Sequence, residues 1–213
     1  MSFQSIEKHL GADYPYKVIC GIDEAGRGPW AGPLVACALT MPLTTRVVGL
    51  DDSKKLTAAE RDKLFPILEK KAQYGVGIVD SLYIDQYGLS KAVNQTFKLA
   101  LQDLQIKHPE LTPDFLLIDG RDKLALPFPY KTIIDGDQKI KLIAAASIIA
   151  KVTRDRMMQE ESKKYPEYGF HEHMGYGTKR HQEALSKYGI SPIHRKSYAP
   201  VFALFQSELF PED

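Results

Sequence analysis

Cysteine is scarce in this chain. Cys20 and Cys37 are the only two, each lies inside an apolar run, and neither belongs to a CxxC pair or another ligand spacing. That excludes a disulfide framework and a cysteine-built zinc site, and leaves buried structural thiols as the expectation. Long apolar runs are also missing. Nothing approaches the ~20 residues needed to cross a bilayer, and Met1 to Tyr16 lacks the apolar centre of a secretory signal. No membrane association is expected, and the expected compartment is the cytoplasm. Internal repeats and low-complexity segments are absent. Net charge is almost nil: 28 Lys and Arg face 27 Asp and Glu, for a formal +1, so global basicity says nothing about a nucleic-acid partner.

What is present suits a globular protein. At 213 residues and 44% hydrophobic, the chain can bury one substantial core with room for a small appended subdomain. Its charge is unevenly spread. Lys and Arg gather at Asp51 to Lys55, at Lys151 to Arg156 and from Lys179 to Lys196, and each cluster taken alone reads as solvated surface. Five short apolar or β-branched runs read as strands: Lys17 to Ile22, Leu34 to Met41, Tyr74 to Asp80, Phe115 to Ile118 and Lys131 to Ile134. Helical periodicity follows in three places. Thr57 to Lys71 opens on a Thr-x-x-Glu capping box and aligns Leu64, Ile67 and Leu68. Ser90 to Ile106, from a Ser cap, aligns Val93, Phe97, Ala100, Leu101 and Leu104, and Lys139 to Lys163 has an apolar middle, Ile143 to Ala150, that suits packing on several sides.

The first two strands are joined only by Asp23 to Pro33, too short for a helical crossover, so they are expected to pair antiparallel. The strand, helix, strand unit from Tyr74 to Ile118 is long enough for a crossover and favours parallel pairing there. The result is an α/β fold, a mixed sheet flanked by helices. A change of composition near Glu160 suggests a domain of residues 1–159 and a helical C-terminal region, 160–213.

Chemistry concentrates in Gly21-Ile22-Asp23-Glu24-Ala25-Gly26-Arg27-Gly28-Pro29-Trp30-Ala31-Gly32-Pro33. Two adjacent carboxylates end an apolar strand and run into a glycine-flanked arginine. A hydrophilic turn is the bland reading. A dinucleotide fingerprint fails on context, because the third glycine falls one place late, Pro29 and Pro33 remove backbone donors, and a strand rather than a helix follows. Acids close other strands too: Asp119 after Leu116-Leu117-Ile118, and Asp135 and Asp137 after Thr132-Ile133-Ile134. If those strands are neighbours, the acids converge, and like charges that close call for a divalent cation. An all-oxygen set suits Mg2+ or Mn2+ rather than Zn2+. Two such ions would serve an in-line phosphoryl displacement. Unrelated strand-end turns are the competing reading.

The blocks GIDEAGRGPWAGP, LDDSKKL, LLIDG, GDQKIKLIAAASIIAKVTRDR, YGFHEHMGYGT and HRKSY, in that order from Gly21 to about Pro200, resemble bacterial ribonuclease HII. The resemblance implies a ribonuclease H-like fold with a mixed five-stranded sheet and a helical C-terminal region. It implies hydrolysis of the RNA strand of RNA–DNA hybrids and nicking on the 5′ side of ribonucleotides embedded in duplex DNA, leaving 3′-hydroxyl and 5′-phosphate ends. The family's catalytic, metal-holding carboxylates map to Asp23, Glu24, Asp119 and Asp137, with Asp135 and Asp155 as rivals for the last place. Gly26, Arg27 and Gly28 match the element that recognises the 2′-hydroxyl at the cut site, which suits glycine because it admits close backbone approach. Tyr176 matches the tyrosine that packs on the sugar at the RNA-to-DNA junction. Lys54, Lys55, Ser147 and Lys151 resemble phosphate-contacting groups, the last two four apart on one helical face. Lys179, Arg180 and Arg195 are weaker candidates, equally readable as solvated surface. Trp30 stands where an aliphatic side chain is expected, which concerns loop packing.

Two features fall outside these blocks. His171 and His173 form a His-x-His in a Gly-rich stretch and are not expected to hold a structural metal. Gln206-Ser207-Glu208-Leu209-Phe210 resembles a peptide that binds the bacterial sliding clamp through a Leu-Phe anchor. A terminal helix whose Phe202, Leu204 and Phe205 side packs on the domain is the preferred reading. A nucleotide-binding module and a non-catalytic hybrid-binding or clamp-adaptor protein are the alternatives to a nuclease. A single chain acting as a monomer is expected.

Overall fold

The computed structural model describes residues 3–209, with side chains through Leu204. Five strands, β1 (Ile19–Ala25), β2 (Leu34–Thr40), β3 (Gln73–Val79), β4 (Phe115–Asp119) and β5 (Tyr130–Ile133), form one mixed sheet in the order β3-β2-β1-β4-β5. β1 and β2 pair antiparallel, with Asp23 opposite Cys37. β1 pairs parallel with β4, Ile22 opposite Ile118, and β4 parallel with β5, Asp119 opposite Ile133. The helices are α1 (Glu7–Leu10), α2 (Ala58–Lys71), α3 (Ser81–Tyr87), α4 (Leu89–Lys107), α5 (Gly136–Lys139), α6 (Lys141–Lys164), α7 (Phe170–His173), α8 (Lys179–Tyr188) and α9 (Ala199–Leu209). No helix among the described residues is long and apolar enough to cross a membrane.

The strand runs and the antiparallel first pair agree with the sequence reading. The crossover from β3 does not: β3 lies beside β2, and β4 pairs instead with β1 and β5. Local patterning specifies a crossover but not how many strands it passes. Two helix starts differ from the sequence expectation. Asp80 closes no strand; its carboxylate accepts the Tyr83 N–H and caps α3, which the sequence reading missed. Ser90 lies inside α4 rather than at its cap, since the ladder already runs from Ala92 N–H to the Gly88 carbonyl. The Thr57 capping box is formed, with Thr57 N–H to Glu60 Oε2 at 2.7 Å and Glu60 N–H to Thr57 Oγ1 at 3.3 Å. Such a cap is worth about 1 kcal/mol. In α2 the buried face is Leu64, Phe65 and Leu68, while Ile67 turns to solvent.

The chain divides into two compact units. The first takes the residues through Ala25, Val35–Ile78 and Asn94–Val152; the second takes Gly26–Leu34, Val79–Val93 and the chain from Thr153. The first has its own apolar core, in which the α6 run Leu142 to Ala150 is buried together with Ile19, Leu39, Leu68 and Leu117. Cys20 and Cys37 are buried free thiols. Each fully buried aliphatic side chain contributes roughly 1.5–3 kcal/mol. The second unit packs Ala31, Met158, Tyr168, Phe170 and Leu185 around a smaller aromatic core, to which Leu204 of α9 adds; Phe202 is exposed.

Candidate active site

Parallel pairing of β1 and β4 decides the first contact of the site. With Ile22 beside Ile118, the next residues on these neighbouring strands are Asp23, third from the end of β1, and Asp119, the last of β4. Asp23 is almost fully buried. β5 then delivers the chain to Asp135, a non-glycine residue in the left-handed region at φ 53°. Aspartate tolerates that conformation better than most residues. The turn aims the Gly136 N–H at Asp119 Oδ1, 2.6 Å away, and carries Asp137 inward on the first turn of α5. Asp137 is 0% exposed; its Oδ2 accepts from Lys54 Nζ at 3.0 Å, and its Oδ1 is buried with no hydrogen-bond partner. Asp135 differs, with a side chain 60% exposed and 3.8 Å from Lys139 Nζ. The first unit therefore brings together Asp23, Glu24, Asp119 and Asp137, while Asp155 belongs to the second.

These acids strain against one another. Burial, then the charges of Glu24 and Asp119, push the Asp23 carboxyl well above the ordinary carboxylate range, although the Ser147 hydroxyl and the Glu24 N–H oppose this. Burial, then Asp137, push Asp119 up, against the Gly136 N–H and Lys54. Burial pulls the Lys54 ammonium down, but its bond to Asp137 and the surrounding carboxylates outweigh that and raise it. Among the described residues, no group of three or more acid, histidine or cysteine side chains is arranged to hold a metal ion outright. The donor chemistry nonetheless fits a hard divalent cation: every candidate atom is a carboxylate oxygen, Asp137 Oδ1 among them is buried and unsatisfied, and the acids need positive charge beyond what Lys54 supplies.

Lys54 stands on a tightly held turn. Asp52 is buried and its Oδ1 accepts the Lys54 N–H at 2.9 Å, while Arg61 of α2 donates to the Ser53 and Leu56 carbonyls at 2.8 and 2.6 Å. Ser147 is buried on α6, its hydroxyl 2.7 Å from Ser53 Oγ and bonded to Asp23. Lys151 follows one turn later, half-buried, and Lys55 is exposed.

The second unit holds the other sequence candidates. Gly26 has φ 109°, and a Cβ there would lie 2.4 Å from Arg154 Nε, so glycine is a structural requirement. Gly28 is different: a Cβ would meet only the Tyr176 ring, at an ordinary 3.6 Å. No internal packing demands glycine at 28. Tyr176, 43% exposed, follows a turn with Met174 and Gly175 both at positive φ. Its carbonyl lies 2.9 Å from His181 Nδ1, and His181 Nε2 lies 2.9 Å from His194 Nε2. Because the Ser191 N–H donates to His194 Nδ1 at 2.9 Å, His194 donates from Nε2, and neutral His181 accepts there and donates to Tyr176. Burial is the first cause that lowers both imidazoles, His181 to about 4 and His194 to about 3.

Two residues were under-read. Arg154, inside the basic run Lys151 to Arg156, and Arg195 both read equally well as solvated surface, yet both are 0% exposed. Neither has a sequence signature, because a buried arginine is recognisable only through the carbonyls around it. Lys179 is exposed, 3.8 Å from Glu183, and Arg180 pairs with Glu172. His171 and His173 sit on the helical turn α7, bonded to Ser162 and to the Tyr168 carbonyl. Trp30 packs over Gly177 and His181. Gln206 to Leu209 end α9; their side chains and Phe210 lie outside the described residues.

A mixed sheet in this strand order, with acids toward the C-terminal ends of its adjacent central strands, is the ribonuclease H architecture. The ribonuclease H2 of Pyrococcus horikoshii OT3 superposes with a TM-score of 0.78 at 30% identity, over 92% of this chain and all of that one. The ribonuclease of a PCNA:RNase HII complex from Archaeoglobus fulgidus does so at 0.69 and 27% identity, over 85% of this chain and 95% of that one. Residues 20–201 match the ribonuclease HII family model. A ribonuclease HII of Enterococcus faecalis is 48% identical over 187 residues, 87% of this chain and 71% of that protein. The chain belongs to the ribonuclease HII family and is a ribonuclease H-type hydrolase.

Proposed function

We propose that this ribonuclease cuts the RNA strand of RNA–DNA hybrids and nicks duplex DNA on the 5′ side of embedded ribonucleotides, leaving 3′-hydroxyl and 5′-phosphate ends. The observation that carries the reading is the buried carboxylate cluster, in which Asp137 keeps an unsatisfied Oδ1 beside an Asp119 and Asp23 pushed toward their protonated forms. Asp23, Glu24, Asp119 and Asp137 would hold two divalent cations, Mn2+ or Mg2+, which when bound supply Lewis acidity for attack of water and for the leaving oxygen. The protein's own groups do the rest. Lys54, Lys55 and Lys151, with Ser147 at their base, hold phosphates without reading sequence. Gly26, Arg27 and Gly28 read the 2′-hydroxyl, and the absence of any packing need for glycine at 28 supports a close approach by substrate there. The exposed Tyr176 ring packs on the neighbouring deoxyribose, where an extra hydroxyl would crowd it.

On this reading, residues 1–159 form the catalytic domain and 160–213 a helical substrate-binding region, in a monomeric cytoplasmic enzyme. A clamp contact is part of this reading, since the Archaeoglobus ribonuclease HII forms a complex with PCNA, and the motif Gln206 to Phe210 is the segment assigned to it. Deleting residues 205–213 should leave hybrid cleavage intact and abolish clamp capture in a pull-down. The test of the main reading is a duplex carrying one ribonucleotide, incubated with Mn2+ or Mg2+ with and without chelator. A single nick 5′ of the ribonucleotide, lost with chelator, is expected; tight mononucleotide binding or duplex binding without a nick would replace the nuclease reading by a nucleotide-binding or adaptor one.

A further inference from the structure

The Gly26 to Pro33 loop belongs to neither a strand interior nor a helix, and Pro29 and Pro33 donate no N–H. Its carbonyls must find donors elsewhere. Arg154 donates from Nε to the Pro33 carbonyl at 2.9 Å and from Nη2 to Ala31 at 3.1 Å. Arg195 donates from Nε and Nη2 to Gly32 at 3.1 and 2.9 Å, from Nη2 to Pro33 at 3.1 Å and from Nη1 to Arg27 at 3.1 Å. Its Nη1 also donates to the Tyr198 hydroxyl, which in turn donates to the Arg27 carbonyl. Arg154 has a third partner outside the loop, the Met174 carbonyl at 3.0 Å, and its guanidinium lies 6.0 Å from the centre of the Tyr176 ring. Trp30 N–H completes the tie by donating to Gly175 at 2.8 Å.

Two fully buried guanidiniums are an expensive way to hold a loop, because each carries a charge out of water. What they provide, and an apolar pair could not, is a planar fork that bonds several carbonyls from different segments at once. Gly26 is glycine because the Arg154 side chain passes where its Cβ would be. The spacing between Gly28 and the Tyr176 ring is thereby set from beneath.

We infer that Arg154 and Arg195 are positioning residues for sugar recognition, fixing the Arg27–Gly28 backbone and the Tyr176 ring at one separation so that only a ribose followed by a deoxyribose fits between them. The inference rests on the reading of Gly26 to Gly28 and Tyr176 proposed above. Neither arginine need touch substrate. Lysine at either place keeps the charge but reaches fewer carbonyls, so the loop loosens while the cation remains.

The experiment measures kcat and KM, with Mn2+, on a duplex containing one ribonucleotide, for Arg154→Lys, Arg195→Lys, Tyr198→Phe, Tyr176→Ala and the double variant Arg154→Lys/Tyr176→Ala, with melting followed by circular dichroism. Tyr198→Phe removes a single hydroxyl, so it serves if a lysine variant does not fold. The expected result is a fall in kcat of about tenfold to a hundredfold for the lysine variants and about threefold to tenfold for Tyr198→Phe, with KM nearly constant. Because Arg154 sets the separation between the loop and the Tyr176 ring, part of its effect is lost with the ring, and the double variant should fall by less than the product of the two single effects. Effects that multiply, or an unchanged kcat in folded Arg195→Lys and Tyr198→Phe, would overturn the positioning role. Failure of the underlying reading shows separately: Tyr176→Ala, with both arginines intact, would cleave at the parent rate and lose no preference for the RNA-to-DNA junction, and the inference would fall with it.

Discussion

The two candidate halves of this nuclease are held in opposite ways. The carboxylates near the end of β1, at the end of β4 and at the start of α5 are under-compensated: Asp23 is pushed up by burial and by Glu24 and Asp119, Asp119 by burial and by Asp137, and Asp137 keeps an unsatisfied oxygen. The Gly26 to Pro33 loop is over-determined instead, its carbonyls bonded by Arg154, Arg195 and Tyr198. One region stores a demand for charge from outside; the other stores a shape made from inside.

Several substitutions would break or sharpen that contrast. The largest effect belongs to Asp119→Asn. An amide is a poor ligand for a hard cation, so cleavage of a single-ribonucleotide duplex should fall on the order of a thousandfold or more. The Asn side-chain carbonyl can still accept the Gly136 N–H, and one repelling charge is gone, so the metal-free melting temperature should hold or rise. A melt well below the parent would mean that Asp119 is structural.

Next come the two glycines of the loop. Gly26→Ala meets Arg154 at 2.4 Å and a positive φ, and should cost about 1–3 kcal/mol in denaturant unfolding. Gly28→Ala should melt with the parent while cleavage drops about tenfold or more. Equal losses of stability at both positions would remove the distinction between them.

The two regions should also respond oppositely to pH in chelator. A carboxyl raised in the fold keeps its proton where the unfolded chain has lost it, so Asp23 and Asp119 make stability fall as pH rises above the ordinary value near 3.8. The buried imidazoles stay neutral where the unfolded chain takes up protons. Their contribution is complete above 6.5 and is lost as pH falls toward about 4 for His181 and about 3 for His194. Hydrogen exchange read separately at β1 and β4 and at 170–195 should show protection changing in opposite directions between these limits, and added Mn2+ should protect the first region more at neutral than at acid pH. Parallel changes would contradict the assignment. The smallest effect on cleavage is expected of Lys54→Ala. Its side chain is 74% exposed but that of Asp137 only 1%, so the substitution leaves a buried acceptor without its donor, and metal-free stability should fall by about 1–3 kcal/mol. KM should rise a few-fold, with a shallower salt dependence, if Lys54 meets phosphate.

Much of this protein was legible residue by residue. The alternation and β-branching of five runs, the Thr57 capping box and the apolar middle of α6 are local signals, settled within a few neighbours by sterics and hydrogen bonding, and they reappear with small shifts at their ends. So did the chemistry of the donor set, since an acid-rich, cysteine-poor pattern already points to a hard cation, and the order of six motifs already pointed to the family. What the sequence could not decide was adjacency. That Asp119 ends the strand beside Asp23 depends on β4 pairing with β1 rather than with β3. That Asp137 and not Asp135 faces inward depends on one left-handed residue at 135. That Arg195 is a buried clamp and not a surface charge depends on carbonyls contributed by residues more than 160 positions away in the chain. Contacts at that separation are fixed only when the whole chain has folded, because their energies belong to pairs of segments and leave no trace in either segment alone.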